Sequence, residues 1–295
     1  MLSRNGSVSS MKKKKYRIII ILLVCVCIAG TAIFITSIIK DFLERGQGKS
    51  YYSSLSAYSG SAAYQHYSQS PPAAQASGSS GFDDNGGPDE VGSDGSDGND
   101  GNDENAELAF VPAFDFDAIR AECPDVIAWI YVEDTVIDYP IVQGGNNQYY
   151  LEHLPNGEKN KTGSIFMDCS NAPGFTDEIT YLFGHHMKNG EMFATLQNYT
   201  NQQYFENHRF ARIFTPYENF DVEFFAGYIV EAAKEYPPYD FAGEDEFYEY
   251  IKTINRRSVF KCDEMELSYG DCLVSLITCN YNVSNGRLIL VGKIL

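Results

Sequence analysis

At 295 residues the chain has room for one or two domains, and its formal net charge of −18 is unevenly spread. Residues 1–50 carry nine Lys/Arg against two Asp/Glu, residues 81–107 carry ten acids and no base, and residues 108–295 hold 28 acids against 13 bases. So acidic a C-terminal part argues against nucleic acid and anionic lipid as partners of the folded region and is compatible with a neutral or basic peptide.

Residues 1–17 form a basic N-terminus containing Lys12 to Lys15 and Arg17. Ile18 to Ile39 is an uncharged run of 22 residues. At about 1.5 Å per residue a helix of that length reaches roughly 33 Å, enough for one membrane crossing. The flanking bases predict a cytoplasmic N-terminus with everything after Lys40 outside. A cleaved signal peptide is the rival reading, since Ala29-Gly30-Thr31-Ala32 offers a faint cleavage site. The apolar run continues through Ile33, Phe34, Ile35, Ile38 and Ile39, past the usual signal core, so an uncleaved anchor is expected over 18–39.

Residues 40–107 read as a low-complexity acidic tether. A Ser/Ala/Tyr/Gln stretch gives way to an Asp/Gly/Asn run, and such composition cannot bury enough surface to offset chain entropy. The run lacks the terminal Glu and the apolar positions of an EF-hand loop, so a solvated linker is favoured over a calcium site. Tyr51, Tyr52, Tyr58, Tyr64 and Tyr67 have no evident role in a spacer.

The folded part is expected over 108–295. A helix is predicted over 114–123, ended by Pro124. Short strand-like runs follow at 126–132, 136–142, 163–167, 179–183, 210–214, 222–230, 265–267, 273–278 and 288–295. Helical patches fall at 192–197, 202–207 and 244–256, the last opening with acids and closing on Lys252, Arg256 and Arg257 as the helix dipole favours. So many short strands separated by turn residues predict a mainly β fold with added helices, closed or nearly closed into a β-barrel.

Cys279 closes the run Ser275-Leu276-Ile277-Thr278, and Arg287 opens the next apolar run behind the turn signal Asn285-Gly286. Two strands so joined bring thiol and guanidinium to one sheet edge. A thiol beside a fixed cation suits a nucleophile with a group to hold developing negative charge. Gly184-His185-His186 offers the base. The bland alternatives are a structural cysteine at a strand end and an arginine held in a salt bridge. Of the other thiols, Cys25 and Cys27 lie in the apolar run, and Cys123, Cys169, Cys262 and Cys272 join Cys279 outside it. Five is odd, so at least one is unpaired within the chain; a Cys262–Cys272 disulfide is the less favoured reading of that pair. His66 falls in the tether, and His153 and His208 read as surface residues.

The segments TYLFGHHMKNGEMF (180–193) and SLITC (275–279), with an arginine eight residues after the cysteine, together resemble the sortases, membrane-anchored cysteine transpeptidases of Gram-positive bacteria. GHHMKNGEMF and VIDYPIVQGGNNQYYLEH (136–153) are similar to class B in particular, and the resemblance runs from about Phe114 to Leu295. It implies a sortase-type closed barrel with Cys279 as nucleophile, His185 rather than His186 as acid and base, and Arg287 at the oxyanion. Asn147, Leu151 and Thr278 are the implied substrate contacts, and a helix between the sixth and seventh strands walls the groove. Asn280 is the nearest, weak candidate to orient the histidine. The implied reaction cleaves a C-terminal sorting motif of secreted proteins between Thr and Gly through a thioacyl enzyme, which a peptidoglycan amine resolves. No metal or organic cofactor is indicated. A pilin-polymerising sortase and, in another class, a non-catalytic surface adhesin are the alternatives. Removing residues 1–107 is expected to leave an active domain.

Overall fold

The computed structural model describes residues 5–59, 110, 112–231, 238–262, 265–280 and 286–295. Helix α1 (Asn5–Leu55) covers the apolar run. Among the described residues it is the one helix long and apolar enough to cross a membrane, with mean hydropathy 2.6 over its most apolar stretch. Its large apolar side chains, from Ile21 to Leu43, stand exposed. Such a surface is unfavourable in water and suited to lipid.

A second compact unit spans Tyr52–Leu295. The helix therefore does not end at the apolar run: it continues through residues expected to be tether, and its last turn belongs to the second unit. Tyr52 and Leu55, three apart on one helix face, are both buried. The 3-10 turn Ser56–Ser59 follows, and its Tyr58 hydroxyl donates to Glu122 Oε1 at 3.2 Å. Two of the tyrosines that made no sense in a spacer are thus docking residues. The remainder of the expected tether, including Tyr64, Tyr67 and the Asp/Gly run, lies outside the described residues.

Helix α2 (Phe116–Glu122) begins where Asp115 caps it, Oδ1 accepting from Ala118 N at 2.9 Å, and stops before Pro124. Eight strands follow: β1 (Val126–Tyr131), β2 (Asp138–Val142), β3 (Ile165–Met167), β4 (Ile179–Phe183), β5 (Phe210–Phe214), β6 (Asn219–Glu231), β7 (Leu273–Asn280) and β8 (Gly286–Ile294). They close into a barrel in the order β1-β2-β3-β4-β7-β8-β6-β5, with β2/β3 and β4/β7 parallel and the other pairs antiparallel. Helix α3 (Gln202–Asn207) is capped by Asn201, and a 3-10 segment (Phe193–Thr200) replaces the short helix expected over 192–197.

Helix α4 (Glu244–Arg257) lies between β6 and β7. Phe247, Ile251 and Ile254 recur at i, i+4 and i+7 and are buried in one cluster with Val230, Ile277 and Ile289 of the barrel. Glu244, Asp245 and Glu246 in the first turn and Arg256 and Arg257 in the last complement its dipole. Of the nine expected strands, the one at 265–267 does not form. In a closed barrel β7 already pairs with β4 and β8, and β8 with β6, so no free edge remains to receive it. Met265 and Leu267 pack instead against the α4 cluster. Cys262 and Cys272 are not joined in a disulfide.

Candidate active site

The register of three adjacent strands assembles the site. Parallel pairing sets Phe183 of β4 opposite Ile277 of β7, and Gly184 N donates to Ile277 O at 3.1 Å, carrying the ladder one step further. His185 lies two residues beyond Phe183 and Cys279 two beyond Ile277, so the parallel register carries both toward the same end of the barrel. On the far side of β7 the antiparallel register pairs Cys279 directly with Arg287 of β8. Such opposed residues have Cα atoms roughly 4.5–5.5 Å apart. Cys279 and Arg287 are thus paired at the end of the barrel where His185 follows β4.

Gly184 explains why a glycine precedes the histidine. A Cβ there would fall 2.5 Å from Ile165 Cδ1 and 2.6 Å from Phe193 Cδ2, both in fully buried side chains. Beyond it the chain folds back: Phe193 N donates to His185 O at 2.9 Å, and His186 forms an isolated bridge with Met192. The half-buried His185 ring has Nε2 2.6 Å from Leu151 O. A carbonyl only accepts, so Nε2 carries the proton and Nδ1 is the nitrogen left for proton exchange. Leu151 O is presented by the 3-10 turn Tyr149–Leu151, whose start is fixed by Asn146 Oδ1 accepting from Gln148 N and Tyr149 N, each at 2.9 Å.

Against Arg287 and Leu151 lies a cavity of about 360 Å³. One part of its wall is apolar, with Phe166, Phe183, Val230, Ile277 and Ile289; another is polar, with Asn147, Asp168, Tyr239 and Arg287. Such a mixture, mostly apolar with a few placed polar groups, suits an extended peptide. Arg287 is half-buried there, and among the described residues no carboxylate forms an ion pair with it. Asn147 and Leu151 also line the cavity. Thr278 does not: it is buried on the face of β7 opposite the cavity-lining Ile277, and its hydroxyl has no hydrogen-bond partner among the described residues.

Sequence reasoning missed Asp168 and Tyr239. Asp168 is 2% exposed, and its Oδ2 accepts from Asn147 Nδ2 and from the Tyr239 hydroxyl, each at 2.8 Å. Asn147 Oδ1 accepts in turn from Cys169 N at 2.8 Å, so the carboxamide is held from both ends. Partial burial and the bond to Asp168 push the Tyr239 hydroxyl up to about 12, keeping it a donor at neutral pH. The available signal was a lone acid closing the apolar run Ile165-Phe166-Met167; nothing marked Tyr239.

The family model described as "Sortase domain" matches residues 130–295. Sortase B of Listeria monocytogenes is 34% identical over 172 residues, covering 58% of this chain and 70% of that protein. Among solved structures, Clostridium perfringens sortase B is 32% identical with a TM-score of 0.58, over 61% of this chain and 99% of that one. A Staphylococcus aureus sortase B–substrate complex is 28% identical with a TM-score of 0.57, over 61% of this chain and 84% of that one.

Proposed function

The chain belongs to the sortase family of cysteine transpeptidases and is class B-like, and from that premise we propose that it cleaves a C-terminal sorting motif of secreted proteins between Thr and Gly and joins the new C-terminus to a peptidoglycan amine. The observation that supports this best is the direct pairing of Cys279 with the cavity-lining Arg287, at the barrel end where His185 follows β4.

The Cys279 thiolate attacks the threonine carbonyl carbon, and the carbonyl π pair moves to oxygen. The Arg287 guanidinium, always charged and planar, holds that oxyanion. Collapse breaks the Thr–Gly C–N bond, and the leaving amine takes the proton from His185 Nδ1. The thioester left on Cys279 is attacked by the acceptor amine, whose proton returns to His185 as the thiolate departs. Throughout, Nε2–H stays on Leu151 O, which fixes the tautomer and the orientation of the ring.

Asn147 and Leu151 contact the peptide along the cavity wall, and Thr278 supports the strand end that carries the nucleophile. The apolar helix anchors the enzyme with its N-terminus in the cytoplasm and the domain outside, where secreted substrates and wall precursors meet. That a relative has been solved as a sortase B–substrate complex supports a peptide-bound intermediate of this kind.

Full-length enzyme incubated with peptides spanning a Thr–Gly bond should yield, by mass spectrometry, an acyl adduct on Cys279 and a released Gly-terminal fragment. Cys279→Ala should give neither, with its circular dichroism unchanged. Unchanged cleavage by Cys279→Ala would overturn the nucleophile assignment, and cleavage at a different bond would overturn the Thr–Gly specificity.

A further inference from the structure

Two contacts made by one residue of α1 converge on the loop that carries His185. Tyr52 is buried, and its hydroxyl donates to Gly163 O at 2.6 Å. Its ring meets Tyr139 edge-on, with centroids 5.2 Å apart. Gly163, at φ +63°, is pressed against the site: a Cβ there would lie 2.7 Å from Leu151 O and 3.0 Å from His185 Cδ2. Leu151 O is the acceptor of His185 Nε2. Tyr139 reaches the same loop from another side, its hydroxyl accepting from Met192 N at 3.1 Å. Met192, held at φ +58°, is the residue that bridges His186. Burial pushes the Tyr52 hydroxyl far above its usual range, so it stays a neutral donor.

We infer that Tyr52 is a positioning residue, whose hydrogen bond to Gly163 and contact with Tyr139 hold the Leu151 carbonyl and the His185 loop in register. The inference rests on the reading of His185 and Cys279 as a working pair. An imidazolium beside Cys279 lowers the cost of the thiolate, and the Leu151 carbonyl, by holding Nε2–H, fixes where the ring stands. Removing the donor leaves the buried Gly163 carbonyl unsatisfied. The peptide that then shifts is the one packed against Leu151 O. The segment next to the membrane anchor thereby takes part in setting the nucleophile's reactivity.

The test uses the full chain in detergent micelles and measures iodoacetamide alkylation of Cys279, resolved from the other thiols by peptide mass spectrometry. The rate at neutral pH is divided by the alkaline plateau, which removes differences in access. Tyr52→Phe keeps the ring and loses the donor, and should lower that ratio by about 3- to 10-fold, the size set by one buried hydrogen bond. Leu55→Ala, which loosens the same segment without touching the loop, should lower the melting temperature and leave the ratio unchanged. An unchanged ratio in Tyr52→Phe, or an equal fall in Leu55→Ala, overturns the inference. If His185→Ala also leaves the ratio unchanged, the reading of the catalytic pair falls with it; if only His185→Ala lowers it, that reading stands and Tyr52 is structural. Should Tyr52→Phe fail to fold, 3-fluorotyrosine at position 52 keeps the shape and alters donor strength alone, and an unshifted ratio there overturns the inference equally.

Discussion

Gly184 and Arg287 flank β7 on opposite sides, and in the proposed mechanism both bear on the step at Cys279. A methyl group at Gly184 would displace the buried Ile165 and Phe193 or move the histidine's own peptide. Gly184→Ala is therefore expected to cost about 1–3 kcal/mol of stability, seen as a lower melting temperature, and to lower kcat more than it raises KM. Arg287→Lys keeps the charge and loses the planar donor fork, so kcat should fall roughly 10²–10³-fold with little change in KM. A near-normal kcat in that variant would return the arginine to the status of a packing residue. The pairing of Cys279 with Arg287 was legible because a cysteine ending one apolar run and an arginine opening the next, across a turn signal, predict opposed strand ends, whereas His185 was singled out by the family resemblance. Asp168 and Tyr239 were not, because they are 71 positions apart and meet only after the barrel has closed.

Elements were legible where local pattern and tertiary demand agree. Strands β4 and β5 and helix α3 have the bounds their composition suggests, and α4 extends one residue beyond its expected end. The reading failed at 265–267, where alternation mimics a strand but the closed sheet has no edge to offer. It failed too at the end of α1, where two buried positions in a Ser/Tyr-rich stretch are too few to register as an apolar face. Helix α4 supplies the prediction at this scale. Its Phe247, 1% exposed, packs in the same cluster as Val230, Ile277 and Ile289, which also line the cavity. Phe247→Ala should cost about 3–5 kcal/mol in urea unfolding. The cavity wall it backs should loosen, so KM for a sorting peptide should rise as well. A stability loss with unchanged KM would separate the helix from the cavity.

At the scale of the whole chain, the sequence draws its boundary at residue 108, whereas the compact unit of the structure begins at Tyr52. The difference is testable by comparing two truncations. A chain starting at residue 41 keeps Tyr52, Leu55 and Tyr58; a chain starting at 108 loses the partners of Gly163 O, Tyr139 and Glu122. Removing a buried leucine and tyrosine together exposes apolar surface and orphans a carbonyl, so the shorter chain should be at least about 2 kcal/mol less stable in urea. The longer one should match the full chain in peptide turnover, since its unit is complete, yet fail to anchor surface proteins in cells because the apolar helix is gone. The shorter one should turn over peptide more slowly at a temperature where it is still folded, because the His185 loop has lost two supports. If both truncations melt and turn over alike, the helix end is inert, and the boundary at 108 describes the working enzyme.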